Sequence, residues 1–125
     1  MPTGHETILL VEDENEVRKL AVSILSRQGY KVLEASHGGD ALLMIEQNHE
    51  PIQLLLTDVV MPGINGPDFA RRLKFIYPDL KVLYMSGYAD NVIFQHGILD
   101  QAMAFLQKPF TIERLAGKVR EVLDI

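Results

Sequence analysis

LLLTDVVMPGINGP, residues 54–67, decides how this chain folds. Three leucines and a threonine run without polar alternation into a single acid, Asp58, and the chain then breaks at Pro62, Gly63 and Gly66. A short apolar run with no alternation marks a central strand covered on both faces, because neither face meets water. The strand is expected over 53–57, which leaves Asp58 at its carboxyl end. A carboxylate at the end of a buried strand carries a desolvation penalty, so packing alone does not account for it.

Working outward, four more apolar runs share the pattern: TILLV at 7–11, KVLEA at 31–35, KVLYM at 81–85 and AFL at 104–106. Between them lie stretches of helical period. Val17, Leu20, Ala21, Ile24 and Leu25 form an inner stripe stopped by Gly29, and a second helix begins near Gly39 with Ala41, Leu42 and Ile45 inward. Pro67 suits the first turn of a third helix, whose stripe is Phe69, Leu73 and Ile76 and which Pro78 ends. A short helix followed by a loop is expected within 90–101, where Gly97 interrupts any period. Thr111 caps a last helix with Ile112, Leu115, Val119, Val122 and Leu123 inward. Five strands alternating with five helices predict an α/β fold, a doubly wound parallel sheet. Without repeats, linker or low-complexity tract, residues 1–125 are expected to form one domain.

Composition narrows the function. At 125 residues and 47% hydrophobic, the chain can bury a core without staples, and zero cysteines exclude disulfides and thiolate metal sites. Histidines 5, 37, 49 and 96 never fall three or four apart, so they read as scattered polar residues rather than a zinc site. No apolar run approaches the roughly 20 residues that cross a bilayer, and no signal segment opens the chain. A cytoplasmic protein is expected. The formal charge of −5 repels a phosphate backbone, and the nearest thing to a basic run, Arg71, Arg72 and Lys74, reads as a solvated helix face. Neither nucleic acid nor membrane is an expected partner.

In open parallel sheets ligands bind beyond the carboxyl ends of the strands. There the sequence puts Glu12 and Asp13 after the first strand, Asp58 after the third, Ser86 after the fourth and Lys108 after the fifth. Each has a bland reading: acids favouring a helix start, an aspartate capping a turn, a loop serine, a solvated lysine. Together they are harder to dismiss, because three acids at one rim repel and lose hydration unless a cation joins them. Mg²⁺ is the natural choice, a hard ion that binds one or two carboxylates with a phosphate. Such a site suits phosphoryl transfer with the carboxylate as nucleophile.

The motifs LLVEDE, LLLTDVVMPGINGP, MSGYA and FLQKPF, in this order, resemble the receiver domains of two-component response regulators over essentially the whole chain. The resemblance implies a flavodoxin-like sheet of order 2-1-3-4-5. It makes Asp58 the phosphoacceptor from a phosphohistidine, with Glu12, Asp13, Asp58 and the carbonyl of Val60 holding Mg²⁺. Lys108, aimed by Pro109 in the cis form, and Ser86 would meet phosphoryl oxygens, and Ser86 and Phe105 would form the conformational switch. The implied partner is a sensor histidine kinase core or a histidine phosphotransfer protein, and a phosphorylation-dependent dimer is compatible with it. Stretches near both ends are more similar to receivers of hybrid histidine kinases than to free-standing regulators.

Three positions depart from the commonest pattern: Glu12 for Asp, Ser86 for Thr and Phe105 for Tyr. With no phenol hydroxyl, Phe105 can signal only by packing. Val60 and Tyr88 flank the approach of hydrolytic water and are expected to make the aspartyl-phosphate long-lived. Among rivals, a haloacid dehalogenase type of phosphohydrolase wants a second acid where Val60 stands, a P-loop is absent, and EDENE replaces the phosphate loop of a flavodoxin. The alternative kept is a receiver fold that binds proteins without being phosphorylated.

Overall fold

A computed structural model describes residues 3–48, 50–61, 63–87 and 104–125. Five strands, β1 (Thr7–Val11), β2 (Lys31–Ala35), β3 (Leu54–Asp58), β4 (Lys81–Ser86) and β5 (Phe105–Gln107), form one sheet of order β2-β1-β3-β4-β5. All four pairings are parallel. The helices are α1 (Asn15–Arg27), α2 (Gly38–Gln47), α3 (Gly66–Ile76) and α4 (Ile112–Leu123). Four helices rather than five are thus present among the described residues, and the short helix expected within 90–101 lies outside them.

Alternation along β1 and β3 splits the core into two layers. Leu9, Val11 and Leu55 face α2 and α3, meeting Ala41, Ile45, Phe69 and Leu73. Ile8, Leu10, Leu54 and Leu56 face α1 and α4, meeting Ile24, Leu25, Leu115 and Val119. Every residue of β1 and β3 is therefore buried, as the unbroken apolar runs require. Each fully buried leucine contributes roughly 1.5–3 kcal/mol relative to exposure, which makes these two strands the rigid centre that carries the site.

Local chemistry sets the helix boundaries. Gly29 adopts φ 103°, the left-handed conformation that closes α1. Asn65 and Thr111 cap α3 and α4 by accepting from the N–H of Asp68 and Arg114, and Pro67 lies in the first turn of α3. The second helix starts at Gly38, not Gly39, because the His37 ring accepts from the Asp40 N–H and serves as its cap. The strand ends also shift. β3 and β5 run one residue later than their apolar runs suggest, and β4 extends to Ser86, so Asp58 and Ser86 belong to strands.

Three residues expected inward are exposed: Leu20, Ile76 and Ile112. Leu20 sits at the edge of the α1 stripe, beside a shallow cavity of about 80 Å³ shared with Val17, Lys108, Pro109 and Phe110. Ile76 and Ile112 are terminal residues of their helices, beyond the stretch that lies on the sheet. Among the described residues, no helix is long and apolar enough to cross a membrane.

Candidate functional site

Register brings the acids together. Val11 pairs with Thr57, so the next residues on those chains, Glu12 and Asp58, leave the sheet side by side. Asp58 pairs in turn with Met85, and Ser86 with Gln107, which places Ser86 and Lys108 at the same rim. The backbone fastens these ends: the Glu12 N–H donates to the Ala35 carbonyl at 3.1 Å, Val59 N–H to Met85 at 3.1 Å and Lys108 N–H to Ser86 at 2.7 Å. The loop after β3 closes where the Gly66 N–H donates to the Val59 carbonyl at 2.7 Å. A Cβ on Gly66 would run into the Asp58 carbonyl oxygen, so only glycine lets α3 begin so close to the acid.

Glu12 and Asp58 are 0% and 3% exposed, while Asp13 points to solvent. Oxygens of Glu12, Asp13 and Asp58 lie within 4.8 Å of one another, close enough to share one ion. The Lys108 Nζ donates to Asp58 Oδ1 at 2.8 Å and to Glu12 Oε1 and Oε2 at 3.1 and 3.4 Å. Asp58 Oδ2 is buried and has no hydrogen-bond partner among the described residues.

These positions perturb the charges. Burial, then the adjacent Glu12 carboxyl, pushes the Asp58 pKa up to about 9, and Lys108 offsets this only in part. Burial also works against the Lys108 charge, but the hydrogen bond and charge of Asp58, together with those of Glu12, outweigh it and hold its pKa above the ordinary lysine value. Without another cation, these surroundings favour the protonated form of the Asp58 carboxyl. The buried unpartnered oxygen, the all-oxygen donor set and two buried carboxyls served by one amine all fit a hard divalent cation.

The remaining expected residues fall around this cluster. Ser86 is buried, and Val60 exposes its side chain at the start of the loop. Phe105 is half-buried against the α2 and α3 layer, paired across the sheet with Tyr84. The Lys108–Pro109 peptide bond is cis. Tyr88 lies outside the described residues.

Arg18 escaped the sequence reading. Its guanidinium donates to the Glu12 carbonyl at 2.8 Å, to Asn15 Oδ1, and to Glu34 Oε1 at 3.4 Å. A signal was present: a cation at the end of a helix's first turn opposes the helix dipole, so it needs a local anion or carbonyl to hold it.

The family model of the response regulator receiver domain matches residues 8–120. The chain belongs to that family. Among curated proteins, this receiver domain is 39% identical to the sensor kinase CckA of Brucella abortus over 98% of its own length and 13% of the kinase. It is 35% identical to the response regulator receiver protein CpdR of the same organism, over 93% of this chain and 95% of CpdR. The crystal structure of the receiver domain from the hybrid histidine kinase CckA superposes with a TM-score of 0.76 at 36% identity, covering 94% of this chain and 98% of that one. The receiver fold and the acidic pocket of Glu12, Asp13 and Asp58 make this chain a phosphoacceptor module of two-component signalling.

Proposed function

We propose that residues 1–125 act as one receiver domain in which Asp58 accepts a phosphoryl group from a phosphohistidine. The observation that carries the reading is Asp58 itself: rigid at the end of a buried strand, bonded to Lys108 through one oxygen and bare at the other. A carboxylate oxygen of Asp58 attacks phosphorus, the P–N bond to the donor imidazole breaks, and a P–O bond to Asp58 forms. Lys108, already within hydrogen-bond distance of Asp58, moves its charge to a phosphoryl oxygen as negative charge builds there. Glu12, Asp13, Asp58 and the Val60 carbonyl are the groups that would hold Mg²⁺. When bound, that ion supplies the positive charge that keeps Asp58 ionised and balances the phosphoryl oxygens.

Once phosphorylated, Asp58 carries a phosphoryl group bearing roughly one and a half to two negative charges at the rim, where the ionised carboxylate bore one. The Ser86 hydroxyl turns toward them, and Phe105 repacks into the space that is vacated. The signal thus leaves through the face around β5 and α4. The domain catalyses its own phosphorylation and slowly loses the group to water. Its donor is a sensor histidine kinase core or a histidine phosphotransfer protein, met in the cytoplasm, and the likeness to the CckA receiver favours a place within a hybrid kinase.

Intact mass after incubation with acetyl phosphate tests this, with and without Mg²⁺ and with Asp58→Asn as control. A gain of one phosphoryl group that requires both Mg²⁺ and Asp58 is expected. No gain in folded protein, from acetyl phosphate or from a purified phosphohistidine donor, would leave a module that binds proteins without phosphorylation.

A further inference from the structure

We propose that Arg18 is a positioning residue that holds the Glu12–Asp13 turn in the geometry needed to bind a divalent cation, an inference that rests on the Mg²⁺ reading above. Glu12 is the last residue before the chain leaves β1 for α1, and Asp13 follows in the turn itself. On one side the Glu12 N–H is fixed to β2 through the Ala35 carbonyl at 3.1 Å. On the other side its carbonyl is fixed by Arg18 at 2.8 Å. The same guanidinium reaches Asn15 at the start of α1 and Glu34 on β2. One side chain, only 14% exposed, therefore ties strand, turn and helix together immediately behind the acids.

The shape of the head group matters. A guanidinium offers several N–H donors in a fixed fork, so it can serve the carbonyl, the amide and the carboxylate at once. A lysine ammonium on a shorter reach serves one or two of them and leaves the turn looser. Arginine at this point thus sets the spacing between the buried Glu12 carboxyl and the exposed Asp13 carboxyl.

Two effects of Arg18 on cation affinity have opposite signs. As a positive charge near the acids it opposes a cation, so its removal would tighten binding by about twofold for a screened charge at that range. As a strut it favours binding, and losing a group that orients a metal ligand weakens affinity by roughly tenfold or more. Glu34 already balances the Arg18 charge, whereas the bond to the Glu12 carbonyl is direct. Positioning should therefore dominate.

The test is a Mg²⁺ titration followed by backbone amide NMR on the full chain, for wild type, Arg18→Ala, Arg18→Lys and Glu34→Gln, with metal-free thermal melts as the folding control. Affinity is expected to fall roughly tenfold in Arg18→Ala and less in Arg18→Lys, while Glu34→Gln, which keeps the Glu12 bond, stays within about twofold of wild type. If Arg18→Ala is unfolded, the lysine variant carries the comparison. Wild type that binds Mg²⁺ with arginine variants that bind as tightly or more tightly would overturn the positioning role alone. Wild type that does not bind Mg²⁺ would overturn the functional reading and this inference with it.

Discussion

Asp58→Asn should stabilise the protein when no metal is present, and the gain should grow with pH. In the folded state the Asp58 pKa is pushed from 3.8 up to about 9, chiefly by burial and then by Glu12. The unfolded chain releases that proton at the ordinary value, so between the two values the folded state holds a proton that the unfolded state does not. Stability is therefore full below the ordinary value and is lost as pH rises toward about 9. The slope is about 1.4 kcal/mol per pH unit, which sets a ceiling of roughly 4 kcal/mol between pH 5 and 8. Local relaxation and water at the rim lower this, and about 1–3 kcal/mol is expected.

Asparagine mimics the protonated acid, since its oxygen can accept from Lys108 and its amide can donate to Glu12, and it does not titrate. The assay is urea unfolding of both proteins in a chelating buffer at half-unit steps from pH 5 to 8. The two should lie closest at pH 5 and separate steadily above it, with titrating groups away from Glu12 and Lys108 cancelling in the difference. Saturating Mg²⁺ should then stabilise wild type and not the variant, reversing their order. An Asn variant less stable than wild type at pH 8 without metal would refute the reasoning, because it would mean Lys108 alone keeps Asp58 ionised.

Further perturbations reach other parts of the fold. Gly66→Ala forces a methyl against the Asp58 carbonyl and should cost about 1–3 kcal/mol in chemical denaturation while slowing phosphorylation from acetyl phosphate. Phe69→Ala empties the centre of the α2 and α3 layer and should cost about 3–5 kcal/mol, a loss read from the same unfolding curves. Arg120, bonded to Glu6 at 2.6 Å, holds the Glu6 pKa down to about 2, so this pair stabilises the fold above the ordinary value of 4.5 and the contribution disappears as pH falls from there. Glu6→Gln should flatten the acid limb of stability against pH over that window. Val60→Glu places an acid at an exposed position two residues past Asp58 and should shorten the lifetime of the phosphorylated form, measured by the decay of the mass-shifted species.

The strands and the rim that carries the chemistry were legible in the chain because both depend on short-range patterns, whereas the strand order came only from the family resemblance. Unbroken apolar runs can be satisfied only by strands buried on two faces, and β1 and β3 are such strands. The acids end those runs, so register alone sets Glu12 beside Asp58. Helix caps at Asn65 and Thr111 obey local hydrogen-bond chemistry, although the imidazole cap at His37 is rarer and moved the start of α2. Exposure at the ends of the stripes was not legible. Whether Leu20, Ile76 or Ile112 meets a neighbour depends on where the sheet stops, which no helical period encodes.

Tertiary structure alone decided how the charges share the site. The sequence by itself determined that three carboxylates and an amine meet at one end of a parallel sheet, since each follows directly from a strand. It could not say that Glu12 is sealed while Asp13 is open, that one Lys108 amine serves both buried acids, or that an Asp58 oxygen is left without a partner. Nor could it show Arg18 bracing the turn behind them. Those facts depend on desolvation and on distances between segments up to 96 residues apart. Both arise only when the chain closes on itself.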